Sequence, residues 1–435
     1  MVNNLLSVWS TVGSVILAIL ILLVMITVHE FGHYLAGKIL KFKIDEFSVG
    51  FGPAFVKIKR KKSGELFAVR LIPLGGYCAF HGEDGLEEET KKKGTMSEGE
   101  TSEKDTPFVE LNGEPTQNGA PMPEESPSKE PSTPPVSAPA HIPKRKELWT
   151  EDGTFTRMHP WKRIIVLVAG ALMNYILALL LIVICLSCYG QDLVRVRGVD
   201  TEGELYEEGY SFQAGDILLR ANGKNLYLTT DIAKAVNKKR AGAEITFRVA
   251  RLQEDGSYKE VDQVIKLRAD VTVKNSTEFS PVWKALGVGI EEREDGRYYM
   301  LENAVYRFGF FPTLGRSVVY SFKIAGSILR VLGELLTGKL GLSAFGGPIT
   351  TITTTASVAS QSFRSFLEIA GFIGVNLAVF NLLPVPALDG SKVVFTIIEW
   401  VRGRPISRKV EAIIHAVGFV FLIGFAILVD VLQFI

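Results

Sequence analysis

A chain of 435 residues with 48 Lys and Arg against 47 Asp and Glu is nearly neutral, which excludes a general nucleic-acid binder, whose surface would carry a basic excess. Hydrophobic residues make up 47% and mean hydropathy is +0.21, a high value for a soluble chain that has room for two or more folded units. Three cysteines cannot form a disulfide framework.

The first predicted element is a membrane helix. Val12 to Val28 is apolar except for Gly13, Ser14 and Thr27, and the pattern continues past a polar cluster to Leu40, long enough to cross about 30 Å of hydrocarbon. The first Lys or Arg is Lys38, so no basic region precedes the span and it is expected to be retained, not cleaved as a signal peptide. The polar cluster reads His29-Glu-Phe-Gly-His33. Positions i and i+4 share a helix face, so both imidazoles can meet one zinc ion. Glu30 lies beside them, placed to take a proton from water acidified by the metal. The short pattern occurs by chance in soluble helices, but two His and a Glu inside a lipid-embedded helix cost several kcal/mol unless they are paired and functional. His29 lies about 17 residues, roughly 25 Å, beyond Val12, which puts the metal within the bilayer and nearer its cytosolic face.

Phe55-Val-Lys-Ile-Lys59 and Leu66-Phe-Ala-Val-Arg70 flank a Lys-Lys-Ser-Gly turn and predict a β-hairpin, completing a first unit over 1–86. Its apolar surroundings, Phe47 to Pro53 and Leu71 to Tyr77, would let part of the sheet dip toward the metal, where an exposed edge could pair with an extended peptide. From about Glu87 to Lys146 the chain is rich in Glu, Lys, Pro, Ser and Thr. Such a stretch cannot bury enough surface to offset its ordering entropy, so 87–150 is expected to be a disordered cytosolic insertion.

A second span runs from Ile164 to Cys188, in a unit over 151–190. Cys185 and Cys188 have CxxC spacing but end an apolar run, and read as small lipid-compatible side chains. Residues 191–300 read as a small β-rich domain. Leu193-Val-Arg-Val-Arg197 and Ile245-Thr-Phe-Arg-Val249 alternate as strands do, and Ala214-Gly-Asp-Ile-Leu-Leu-Arg-Ala-Asn-Gly223 joins a strand to a tight Asn-Gly turn. In the next unit, 301–362, Arg316, Lys323 and Arg330 recur every seven residues. They predict an amphipathic helix from about Thr313 to Leu336, lying in the membrane interface or packing on the β-rich domain. The last unit, 363–435, holds a third span from about Phe366 to Leu383 and a fourth from Ala412 to Val429.

Lys and Arg cluster after the first span (Lys38, Lys41, Lys43, Lys57, Lys59, Arg60, Lys61, Lys62), before the second (Lys162, Arg163) and between the last two (Arg402, Arg404, Arg408, Lys409). Those loops are expected in the cytosol, which places the β-rich domain and both termini outside. A catalytic zinc usually has three protein ligands, and the helix motif supplies two. Asn376-Leu-Ala-Val-Phe-Asn381-Leu-Leu-Pro384-Val-Pro386-Ala-Leu-Asp389-Gly390 breaks the third span with two prolines. Irregular backbone at membrane depth is tolerated only where it lines a cavity, and Asp389 follows the break directly. The rival ligand is His415 in the fourth span, whose position also fits a hydrogen-bonded histidine between helices. His81, His141 and His159 fall in soluble loops and receive no role.

These motifs together resemble the site-2 protease family, most closely its bacterial branch similar to the regulator of sigma-E protease. The likeness covers nearly all of the chain outside the insertion. The family pairs HExxH in the first helix with Asn-x-x-Pro-x-Pro-x-Leu-Asp-Gly in the third, matched by Asn381 to Gly390. Its Gly-Phe-Gly-Pro and Pro-Leu-Gly-Gly-Tyr runs are Gly50 to Pro53 and Pro73 to Tyr77, and its Gly-Pro-Ile is Gly347 to Ile349. Its Ala-Gly-Pro-x-x-Asn appears as Ala169-Gly-Ala-Leu-Met-Asn174, with Ala171 in place of Pro, a departure read as touching helix geometry and not chemistry. The Gly215 to Gly223 run resembles PDZ domains of membrane-associated proteases, and one such domain is evident where proteobacterial members have two.

The resemblance implies a polytopic α-helical membrane protein of four transmembrane helices, with a membrane-associated β-hairpin and an extracytoplasmic PDZ-like domain. It implies a zinc endopeptidase in which His29, His33 and Asp389 hold the metal, Glu30 is the general base, and Asn376 and Asn381 hold the substrate strand. The implied substrates are transmembrane segments of single-pass proteins already shortened by another protease, such as anti-sigma factors or leftover signal peptides. The implied location is the bacterial cytoplasmic membrane, with the lipid bilayer as partner and no nucleic acid. Two other readings are a quality-control metalloprotease with a cytosol-facing site and an idle membrane scaffold using its PDZ-like domain. The Pro-broken Leu-Asp-Gly segment speaks against the first and Glu30 against the second.

Overall fold

The structure, a computed structural model, describes residues 2–61, 63–83, 149–203, 206–293, 296–342 and 346–434. The insertion expected over 87–150 lies outside the described residues apart from 149 and 150, and so does His141. The first helix, α1 (Val2–Ile39), carries the HExxH run in its last turns. It leads into β1 (Ile44–Lys59) and β2 (Leu66–Phe80). The predicted hairpin is present: Lys59 pairs with Leu66 and Ala54 with Arg70. The sheet is also doubled, because Glu46 to Val49 find partners on both sides, in Leu66 to Val69 and in Gly76 to Ala79. The sharp bend in β1 passes through Gly50 and Gly52, at φ +86° and +85°, a region that a residue without Cβ enters freely. Arg70 holds the bend shut by donating to Ser48 Oγ (2.9 Å), the Gly52 carbonyl (2.7 Å), Glu46 Oε1 (2.6 Å) and Tyr77 Oη (2.7 Å). The rings of Tyr34, Phe47 and Phe67 then seat this sheet on α1.

The second span is α2 (Pro160–Tyr189), which starts on a proline whose missing N–H costs nothing at a helix N-terminus. The β-rich domain follows. It comprises β3 (Gln191–Val196), β4 (Ile217–Ala221), β5 (Lys224–Asn225), α3 (Thr229–Val236), β6 (Glu244–Leu252), β7 (Tyr258–Lys266), α4 (Ser280–Ala285), β8 (Ile290–Arg293), β9 (Gly296–Tyr299) and β10 (Leu301–Tyr306). The main sheet runs β10-β3-β4-β6-β7, with β5 on β4 through the Asn222-Gly223 turn, both residues at positive φ as a two-residue hairpin requires. Phe247, Val249, Leu218, Ile232 and Leu267 fill its core. The domain extends past the expected boundary at 300, because β10 pairs with β3 along its whole length. The six-residue strand is half polar and too short to stand out in the sequence.

The amphipathic element is α5 (Phe310–Leu336), and its cations do not all point where a membrane-surface helix would point them. Arg316 is buried, donating to Gln191 Oε1 (2.7 Å) and the Leu226 carbonyl (2.5 Å) beneath the Phe308 and Tyr227 rings. Lys323 pairs with Asp231 at 2.6 Å. Of the two places expected for this helix, packing on the β-rich domain accounts for Arg316 and Lys323, which find their acceptors there. Its apolar side reaches the membrane helices, Ile324 packing with Ala178 and Ile182 of α2.

The remaining helices are α6 (Pro348–Ala359), α7 (Phe363–Leu382), α8 (Asp389–Arg402) and α9 (Arg408–Phe434). Four segments are long and apolar enough to cross a membrane: Val12–Ile39, Pro160–Tyr189, Phe363–Leu382 and Arg408–Gln433, in agreement with the four expected spans. Ile21 and Met25 of α1 pack on Ala370 and Ile373 of α7, and Ala178 of α2 packs on Val375. The Gly347-Pro348-Ile349 motif acquires a reason in α9. Asp430 accepts the Ile349 N–H at 3.0 Å and the Thr350 N–H at 3.2 Å, capping α6, and a Cβ at Gly347 would stand 2.4 Å from its carboxylate.

Candidate metal centre

The centre is assembled where α1, α2 and the α7–α8 break meet. His29 and His33 are both buried, one turn apart on α1. His33 Nδ1 lies 2.8 Å from the Val166 carbonyl of α2. A carbonyl only accepts, so Nδ1 carries the hydrogen and Nε2 keeps its lone pair for a metal. The helices approach closely because both present glycine. A Cβ at Gly32 would stand 2.4 Å from the Ala169 carbonyl oxygen, and one at Gly170 would stand 2.4 Å from His33 Nε2 and 2.8 Å from His29 Cε1. Gly170 is thus the seat of both imidazoles.

Asp389 comes from the other side. Its helix α8 begins on it, directly after Leu383 to Leu388 leave helical geometry, and Ala387 within that break has φ +78°. Gly390 lets α8 start hard against the end of α7, since a Cβ there would meet the Leu383 carbonyl oxygen at 2.2 Å. The carboxylate Oδ2 then lies 2.9 Å from His29 Nε2 and 3.3 Å from His33 Nε2, and the two nitrogens are 3.1 Å apart. Tetrahedral zinc with bonds of roughly 2.0–2.2 Å spaces its donors about 3.3 Å apart, so this donor set fits zinc closely. It is the group of three metal-ligating side chains found among the described residues. His415 is not part of it: its Nδ1 accepts the Ala387 N–H at 3.1 Å.

The other expected site residues divide. Glu30 is half-buried beside the sheet edge, with Gly76 so near that a Cβ there would stand 3.2 Å from Glu30 Cγ. The Asn381 Nδ2 reaches 3.5 Å from His29 Nδ1. Asn376 is not brought to the histidines. It lines a cleft of about 440 Å³ with Thr351, Thr354, Thr355 and Phe380, its Oδ1 buried and without a hydrogen-bond partner among the described residues. One residue near the metal group was missed: Asn174 of α2 is buried and also stands 3.5 Å from His29 Nδ1. The atom facing the ring is Nδ2, which donates, while Oδ1 lacks a partner among the described residues; turning the amide over would bring Oδ1 to a hydrogen on Nδ1 and leave His29 Nε2 free for a metal. The Ala169 to Asn174 motif was the available signal, and its final residue touches the chemistry as well as the helix geometry. Cys185 is buried and Cys188 exposed, and both are free cysteines.

The profile of peptidase family M50 matches residues 17–425. Among curated proteins, the zinc metalloprotease RasP of Bacillus licheniformis is 26% identical over 438 residues, covering 94% of this chain and 96% of the relative. The regulator of sigma-W protease RasP of Bacillus subtilis is 26% identical over 445 residues, covering 94% and 96%. The matched residues include both halves of the donor set and reach into all four apolar helices. The chain therefore belongs to peptidase family M50, the site-2 proteases, and is a membrane-embedded zinc metalloendopeptidase.

Proposed function

We propose that this enzyme cuts the transmembrane segments of single-pass membrane proteins, with His29, His33 and Asp389 as zinc ligands and Glu30 as general base. The observation that carries the reading is the convergence of three metal donors, two on an apolar span and one at the start of the helix that follows a Pro-broken span. Zinc bound there would acidify water and polarise the scissile carbonyl. Glu30 takes the proton of the attacking water and returns it to the leaving amine. The Val166 carbonyl holds the His33 ring in its metal-binding tautomer, with the hydrogen on Nδ1 and the lone pair on Nε2.

A helical substrate hides its carbonyls in its own hydrogen bonds, so a short stretch must become extended before it can be cut. The bare backbone at Gly75 and Gly76 runs past Glu30 and suits a substrate added as an extra strand, with the Asn381 amide on the opposite side and Asn376 further along the cleft. The Lys and Arg distribution supports a cytosolic hairpin and an extracytoplasmic β-rich domain, PDZ-like in its Gly215 to Gly223 run, that excludes substrates with large outer domains. Substrates would then be pre-trimmed by another protease in a bacterial cytoplasmic membrane, anti-sigma factors and signal-peptide remnants being the natural classes. The test is incubation of purified protein with trimmed and untrimmed single-pass substrates, with and without a zinc chelator. Cleavage inside the apolar segment, faster for trimmed substrates and lost with chelator, is expected. Cleavage confined to soluble loops would contradict the reading.

A further inference from the structure

We propose that His415 is a positioning residue for the metal centre: by accepting the Ala387 amide hydrogen it holds the backbone bend that aims Asp389 at the two histidines. The inference rests on the ligand set proposed above. Ala387 sits at φ +78°, a left-handed conformation that a Cβ disfavours, two residues before Asp389. The bend has few bonds of its own. Pro384 and Pro386 have no N–H to give, while Val385 donates to Leu383 and Leu388 donates to Val385. The Ala387 N–H goes instead to His415 Nδ1 across 3.1 Å, and inside a membrane an amide without such a partner would be costly.

A second contact, independent of that bond, brings α9 to the same spot. Gly418, one turn after His415, packs directly on the bend: a Cβ there would stand 2.2 Å from Pro386 Cβ and 2.9 Å from the Pro386 carbonyl carbon and oxygen. Backbone cannot yield as a flexible side chain can, so Gly418 is what lets the histidine come within reach. Because Nδ1 accepts, the ring hydrogen is on Nε2, which meets no acceptor among the described residues. His415 makes its side-chain hydrogen bond to the bend and to nothing else among the described residues. The fourth span, otherwise the most exposed of the four, thereby supports a metal ligand it does not itself contain.

The test is zinc affinity of the full-length protein, measured by competition with a chelator, alongside thermal stability. His415→Leu is expected to weaken zinc binding about 10- to 100-fold, the usual effect of removing a partner that orients a ligand. His415→Asn places an amide oxygen where Nδ1 stands and should stay close to wild type. Ala387→Gly in the His415→Leu background should recover part of the loss, since glycine takes the left-handed conformation freely. Gly424→Ala, on the same helix with open space around it, should leave zinc affinity unchanged. Wild-type zinc affinity in His415→Leu, or equal damage in His415→Asn, would overturn the proposal, as would a loss that Ala387→Gly does not relieve. Asp389→Ala measured in parallel separates the two claims: if it keeps zinc the ligand set fails, and if it loses zinc while His415→Leu does not, only the positioning role fails.

Discussion

His29 and His33 sit on an unbroken helix, where four residues of spacing bring both rings to one face, whereas Asp389 arrives at the same point from beyond a single helix break that holds two prolines. The histidine arm is local and self-supporting, its remaining needs being a glycine opposite and one carbonyl. The aspartate arm is assembled from distant parts: the end of α7, a left-handed alanine, the start of α8 and the flank of α9. Both arms are referred to α2. Val166 and Gly170 position the histidines, and Arg163 one turn earlier pairs with Glu399 of α8 at 2.7 Å, both side chains buried. A helix can place a polar pair in an apolar surround by repetition alone. A single carboxylate there needs a scaffold.

The largest effect is expected at the histidine arm. Glu30→Gln should retain zinc and lose turnover by about 10²–10⁴-fold, since the amide cannot accept the water's proton. Near-normal cleavage by that variant would remove Glu30 from its role. At the aspartate arm, Glu399→Leu leaves Arg163 buried and unpaired, which costs about 3–5 kcal/mol, and thermal unfolding should shift accordingly. Arg163→Met combined with Glu399→Leu should restore most of that stability, because replacing the pair by apolar groups removes the desolvation cost. Additive losses in the double variant would show that the pair does not couple α8 to α2. A smaller effect is expected from Gly170→Ala, whose Cβ would press on both rings and weaken zinc binding about tenfold or more. Gly13→Ala on α1 meets open space and should be neutral or stabilising by about 0.5–1 kcal/mol.

The two arms also differ in how far the sequence disclosed them. The spans and the His29–His33 pair were legible because hydropathy and a spacing of four are local signals, and the Asn222-Gly223 turn was legible because a two-residue hairpin needs positive φ. Asp389 was found through the prolines before it, but what steadies it was not, since nothing in His415 or Gly418 says that α9 faces Pro386 and Ala387. Asn174 went unread for the same reason: its role depends on which face of α2 meets α1. Asn376 and Asn381 look equivalent in one motif, yet five residues turn a helix well past one revolution, so only Asn381 meets His29. The seven-residue cation stripe of α5 was visible, while its partner surface, built from Gln191, Leu226 and Asp231, could be known only once the β-rich domain was folded.

Two dissimilar arms should hold one ion between them. Elemental analysis of the purified protein beside Asp389→Ala tests this most directly. The wild type should carry about one zinc per chain. Asp389→Ala should lose most of it yet stay folded, with a transition lowered by the missing ion, because two histidines on α1 then have no third partner. Full zinc retention in Asp389→Ala would contradict the account and send the search for the third ligand elsewhere in the chain.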